Sequence, residues 1–244
     1  MYAQKLVMIP VSLATAMGLT VVPTITTSYM SGDRKELKDQ ITKIFEIVFF
    51  LTLPAIGGLT IMAGEAYTTF YSYDRLGTEL LAWSAPFALM FALFSVTIAI
   101  LQGLDFQKHA MISLGIGLLV KLILTVPLIF IMQGKGAVLA TALGFTISVF
   151  YNMFIIRKYV NYTFRRIARR FNQTFVFTGL MMIGVWLLKI GLTTFIDPTS
   201  GKLPALIVLV LCVCAGIFIY GFLTIGSGLA KHVLGSRFQF LNHK

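Results

Sequence analysis

The chain has 244 residues, 57% of them hydrophobic and 12% charged, with a mean hydropathy of +0.87. Soluble domains carry about 45–50% apolar and about 25% charged residues, so the composition argues against an ordinary soluble enzyme and for a polytopic membrane protein, whose lipid-facing helices tolerate almost no charge. Twenty Lys+Arg against nine Asp+Glu give a net charge of +11, an excess to be interpreted by where it falls between the hydrophobic runs.

Hydropathy predicts an all-α bundle of about seven spans, at roughly 6–29, 44–66, 80–102, 110–132, 136–156, 174–195 and 204–227, the last six each able to cross a bilayer core of about 30 Å. No strand-like alternation competes, so a β-barrel is not expected. The first span is the least apolar: Pro10 and Pro23 interrupt it, and it carries Ser12, Thr15, Thr20, Thr24, Thr26 and Thr27, with Gln4 and Lys5 near its start. Such a helix can line a hydrated path and bend at its prolines. Equally, the hydroxyls can bond back to their own helix.

A basic segment with Arg34, Lys35, Lys38 and Lys43 follows. Glu46 stands one turn inside the second span, within reach of Lys43, and Glu65 stands at its far end, where an interfacial, water-reached carboxylate is expected. Asp105 and Lys108 occupy the loop after the third span. In the fourth, Lys121 lies about twelve residues in, or about 18 Å at 1.5 Å per residue, near the midplane. A central lysine costs about 2.5–3.5 kcal/mol on insertion scales, so it is expected to face a partner or a wet cavity. Ser113, Gly117, Lys121 and Thr125 recur every four residues as one small-and-polar stripe, read as cavity-facing. The alternative is a structural lysine bonded to carbonyls freed by Pro127. The fifth span carries a comparable stripe of Gly136, Ala140, Gly144, Ser148 and Asn152, the spacing of a close helix-packing face.

From Tyr159 to Phe171 the pattern is amphipathic. Val160, Phe164, Ile167 and Phe171 share one face, and Arg165, Arg166, Arg169 and Arg170 the other, as in an interfacial helix that meets anionic lipid headgroups. Nucleic-acid binding is not expected of a segment lodged between two spans. Cys212 and Cys214 point to different sides of the last span, and His109, His232 and His243 have no ligand spacing, so neither disulfide nor metal site is expected. No Walker loop, dinucleotide fingerprint, zinc motif or nucleophile elbow occurs, so no catalytic residue and no cofactor is assigned. The organisation is then 1–156 for five spans, 157–173 for a cytoplasmic basic linker helix, 174–228 for two further spans and 229–244 for a cytoplasmic tail.

Fourteen of the 20 basic residues fall in alternate loops, those holding Arg34, Lys108, Arg157 and Lys231, against five in the opposite set. The positive-inside rule then places the N-terminus outside and the C-terminus in the cytoplasm of a plasma-membrane protein. No cleavable signal peptide is evident, and an N-out start of this kind suits the second half of a longer protein.

The segment LQGLDFQKHAMISLGIGLLVKLILTVPLIFIMQGKGAVLATALGFTISV resembles the polysaccharide-biosynthesis branch of the multidrug/oligosaccharidyl-lipid/polysaccharide flippase superfamily. Gln102 and Gly103 match the pair that closes one helix there, Lys121 an intramembrane lysine, and Lys135, Gly136, Ala137, Ala140 and Thr141 the outer "KGAxxAT" turn. VVPTITTSYMSGDRKELK and LTLPAIGGL, with Pro54, resemble the two preceding helices. Thr125 departs from the Asn frequent at its position. The resemblance implies the C-terminal lobe plus the two extra helices of a MATE-like lipid II flippase, with the N-terminal lobe, expected in cis, missing. It further implies an undecaprenyl-pyrophosphate-linked saccharide as cargo, lipid II above all, moved by alternating access. Lys5, Thr15, Ser113, Lys121 and Thr125 are its candidate cavity residues. A drug or cation antiporter of the same superfamily would call for acidic residues in the bundle. A non-transporting fragment is the other alternative, since half a bundle cannot enclose a two-lobed cavity. A membrane enzyme of envelope synthesis would need an acidic or histidine cluster at the interface, and none is visible.

Overall fold

The computed structural model describes residues 2–71, 73–160, 164–195, 198 and 201–229, and among them every regular element is helical. The helices are α1 (Tyr2–Met30), α2 (Arg34–Ile61), α3 (Ala63–Tyr71), α4 (Arg75–Ser84), α5 (Ala88–Gly103), α6 (Gln107–Met132), α7 (Gly134–Val160), α8 (Phe164–Phe195) and α9 (Lys202–Gly226), with a 3-10 turn at Ala85–Phe87. They form seven rods. Among the described residues, six of these, with α4 and α5 counted as one, are long and apolar enough to cross a membrane.

Two rods are broken where the hydropathy runs on without a signal. The second expected span, 44–66, ends as a helix at Ile61, Met62 caps it with φ −97° and ψ 19°, and a new helix begins at Ala63. The third is interrupted by the turn around Pro86. Local chemistry starts the rods. Asp33 Oδ1 accepts from the Lys35 and Glu36 amides at 3.1 and 3.0 Å, and Asp74 accepts from Leu76 and Gly77, so each first turn has its free N–H groups met.

The expected separate linker helix at 157–173 is not what forms. Within the described residues, α7 runs on to Val160 and α8 continues without interruption from Phe164 into the sixth span. Its apolar face turns inward: Val160 and Ile167 are buried and Phe171 packs on the same core, its ring 4.9 Å from that of Phe49 on α2. The side chain of Phe164 and residues 161–163 lie outside the described residues, as does all of the expected tail but Leu229, with Lys231, His232, Arg237, His243 and Lys244.

Helices approach closely where small residues face each other. A Cβ on Gly144 would stand 2.6 Å from the Gly117 carbonyl oxygen, and one on Gly136 would run into the Leu128 carbonyl. Ala140 is fully buried between them. The stripes of α6 and α7 are thus two halves of one seam. The fit at Gly103 is also tight: a Cβ there would sit 3.1 Å from Ile25 Cγ2 and 3.2 Å from the Val22 carbonyl of α1.

Candidate functional site

The apolar rods leave three polar features and one large groove. The first feature is Lys121, exposed at mid-helix on α6, whose most hydrophobic stretch holds no buried residue. Large apolar side chains surround it on the open face, Leu118, Leu122 and Ile123 among them. Thr125, one turn on, donates back to the Lys121 carbonyl at 2.5 Å. Ser113 does not join Lys121 on an open surface. It is fully buried in the α6–α7 seam, where its carbonyl accepts from Ser148 Oγ at 2.8 Å. Thr97 and Asn152 are buried in the neighbouring α5–α7 contact, paired at 3.0 Å. The stripe read as cavity-facing therefore divides, with Ser113 and Gly117 in the packing and Lys121 and Thr125 outside it.

On α1, Lys5 is exposed with its ammonium 5.6 Å from the Tyr2 ring centroid. Thr15 bonds the Val11 carbonyl at 2.9 Å, and Ser12, Thr26 and Thr27 likewise bond their own helix. Thr26 adds a bond to the Gly103 carbonyl at 3.1 Å, fastening the end of α1 to the end of α5.

The second feature is the basic face of α8, which divides by partner. Arg165 and Arg169 are exposed. Arg166 Nε and Arg170 Nε reach Glu46 Oε1 at 3.6 and 3.7 Å, and Arg166 also pairs with Asp39 at 3.4 Å. Glu46, expected beside Lys43, is instead buried at 3% exposure against these two arginines. A contact across more than a hundred residues outcompetes the one a turn away because α8 lies along that face of α2.

The third feature corrects the expectation for Glu65. It is buried, 3% exposed, and its Oε2 takes Lys189 Nζ at 2.9 Å. The same ammonium donates to the Ile61 carbonyl at 2.9 Å, the last residue of α2. At the far surface Glu79 pairs with Arg75 and with Lys135 of the outer turn, at 3.3 and 3.4 Å, all three partly exposed. Hydropathy does not distinguish Lys189 from an interfacial lysine. Nor does the sequence signal the pair, since Glu65 and Lys189 each stand near the end of an apolar run.

The groove, of about 1020 Å³, runs between α1 and α9 with α2 as its floor and α8 behind. Ile9 and Leu13, Phe50 and Pro54, Val213 and Tyr220 line it. The hydroxyls that border it are turned away: Ser12 to Ile9, Thr224 to Tyr220 and Tyr220 Oη to the Phe50 carbonyl at 2.8 Å. Its chemistry is that of hydrocarbon. Cys212 is buried and Cys214 exposed, both as free thiols, and no cluster of metal-ligating residues occurs among the described residues.

Residues 1–200 match the family model described as lipid II flippase MurJ. The lipid II flippase MurJ of Bacillus subtilis (strain 168) is 42% identical over 241 residues, which is 97% of this chain and 44% of that protein. The membrane protein YabM of the same organism, described as uncharacterized, is 26% identical over 216 residues, 87% of this chain and 40% of that one. Among solved structures, lipid II flippase MurJ in its inward closed conformation superposes with a TM-score of 0.72 at 19% identity, over 96% of this chain and 46% of that one. The chain spans less than half the length of the curated relatives it matches.

Proposed function

The chain belongs to the lipid II flippase MurJ family, and from that premise we propose that it forms one lobe of a transporter that carries a polyprenyl-pyrophosphate-linked saccharide, lipid II first, across the plasma membrane. Membership makes it a multi-pass membrane protein of a transporting rather than a catalysing family. The orientation we propose has α1 entering from outside and α9 ending in the cytoplasm, as the loop charges require. In this organisation α1 to α7 are the lobe proper, α8 and α9 an appended pair, and a further lobe in cis completes the cavity.

The observation that carries the reading is Lys121. An ammonium near the bilayer midplane does not stay against lipid tails, yet here it stands on an uncovered helix face. A hydrated cavity shared with a second lobe resolves the conflict and gives an anionic headgroup its cation, through charge-assisted hydrogen bonds to pyrophosphate or sugar. Lys5 and Thr125 are weaker candidates for the same cavity. Ser113 serves it only by holding α6 on α7. The apolar groove suits the other end of such a cargo, an isoprenoid tail that never leaves hydrocarbon. Arg165 and Arg169 are left to meet anionic headgroups at the cytoplasmic surface. A cation antiporter would need a free carboxylate within the bundle, and Glu46 and Glu65 are both already paired to cations.

The test places the chain in a full-length flippase, replacing the segment it matches in the Bacillus subtilis relative, in cells depleted of their own flippase. Lys121→Ala is expected to abolish appearance of lipid II at the outer leaflet while insertion is retained, and Lys121→Arg to keep part of it. Normal flipping by the alanine variant removes the site.

A further inference from the structure

Glu46, Glu65, Lys189 and Tyr220 are polar groups to which the proposed transport assigns no role, and all four join the appended pair α8–α9 to the same rod, α2–α3. Proline at position 54 cannot donate to the carbonyl four residues back, so the Phe50 carbonyl is orphaned inside the helix. Tyr220 Oη of α9 is the donor that meets it, at 2.8 Å. At Met62 the rod breaks, and Lys189 of α8 bridges the break, holding the Ile61 carbonyl on one side and the Glu65 carboxylate on the other, both at 2.9 Å. At the opposite end of α8, Arg166 and Arg170 close on Glu46. Glu46 and Glu65 are about 19 residues apart, or roughly 28 Å at 1.5 Å per residue, close to the full hydrocarbon thickness of about 30 Å.

We propose that Lys189 and Tyr220 are positioning residues that pin α8–α9 to the two backbone breaks of α2–α3, and so set the width of the apolar groove between α1 and α9. Three anchors, near the two ends of the rod and in between, allow the appended pair no independent tilt. The α9 wall is therefore fixed to the groove floor. The α1 wall packs on the same rod through apolar side chains, Leu6, Val7 and Val11 with Ile56 and Ala66, and is tied by Thr26 to the end of α5, so it uses none of these polar anchors. What the groove holds rests on the transport reading; its width does not.

The experiment reads width directly. In membranes containing the chain with Cys212 and Cys214 replaced by Ala, single cysteines are introduced at Ser12 on α1 and Val213 on α9, which both line the groove. They are then joined with bifunctional thiol reagents of graded length. With the anchors intact, one narrow range of lengths is expected to cross-link efficiently. Tyr220→Phe, which removes one oxygen and keeps the ring, is expected to broaden that range and to slow the best reagent at least several-fold. Lys189→Met is expected to do more, and Lys189→Arg, which keeps a cationic donor for both the Ile61 carbonyl and the Glu65 carboxylate, to retain most of the narrow range. An unchanged length profile in an inserted Tyr220→Phe chain, or a Lys189→Arg profile as broad as that of Lys189→Met, overturns the proposal. Either result leaves the lipid II assay on Lys121 untouched, so the two readings fail separately.

Discussion

Replacing Lys189 by methionine keeps the length of the side chain and removes its charge, and the geometry sets the size of the effect. The ammonium makes two contacts at 2.9 Å, one with a carboxylate that is 4% exposed. Stripping the partner from a buried carboxylate costs about 3–5 kcal/mol, because the remaining charge has no compensation. The Lys189 side chain is itself 25% exposed, which lets water soften the loss and puts the expectation at the lower bound, about 3 kcal/mol. Glu65→Leu leaves the lysine its bond to the Ile61 carbonyl but strips its counter-charge, and should cost about 1–3 kcal/mol. The double replacement Glu65→Leu with Lys189→Met removes both charges, and buried pairs exchanged for apolar groups are commonly neutral. Its cost should therefore fall well below the sum of the singles, with a coupling of about 2 kcal/mol or more. Denaturant or thermal unfolding of the four proteins in one detergent measures this cycle. Additive single and double effects would mean that the two groups do not interact, and the buried-pair account would be refuted.

Three other outcomes follow from the packing and the polar contacts. Gly144→Leu should destabilise the α6–α7 hairpin by about 1–3 kcal/mol or more, since even a Cβ there meets the Gly117 carbonyl at 2.6 Å; loss of a cross-link between cysteines placed in α6 and α7 would report it. Glu46→Gln should weaken the hold of α8 on α2 at its arginine end and speed hydrogen exchange in residues 165–171, whereas Asp39→Asn, at an exposed pair, should change exchange there little. Arg165→Gln with Arg169→Gln should lower the preference of the protein for anionic over neutral lipid by about 1 kcal/mol per charge, measured in vesicles of graded phosphatidylglycerol content, with no change in unfolding midpoint.

The rods were legible because hydrocarbon demands unbroken apolar runs, and each expected span corresponds to a rod, although the second and the sixth begin about ten residues earlier than hydropathy put them. The breaks at Met62 and at Pro86 were not, since a broken helix is as apolar as a straight one. The small-residue stripes of Ser113 to Thr125 and of Gly136 to Asn152 were each visible as patterns. That they interlock was not, because sequence periodicity gives a face and never its partner. The same limit misled the reading of Glu46 and Glu65. Lys43 is near Glu46 along the chain, but the neighbours that matter arrive from α8, more than a hundred residues away. Lys121 stands out in the sequence by its charge within an apolar run.

Between α6 and α7 stands a single non-helical residue, Gln133, at φ 51° and ψ −131°. With so short a link, the two helices are expected to enter the bilayer together as a hairpin. Lys121 then enters on a helix already backed by α7, whose Gly144 lies against the base of the lysine side chain. A longer tether at position 133, such as an inserted run of glycines, would uncouple the two deliveries and expose the charge to the translocation machinery by itself. The one-residue turn at Gln133 thus bears on biogenesis as well as on the finished fold.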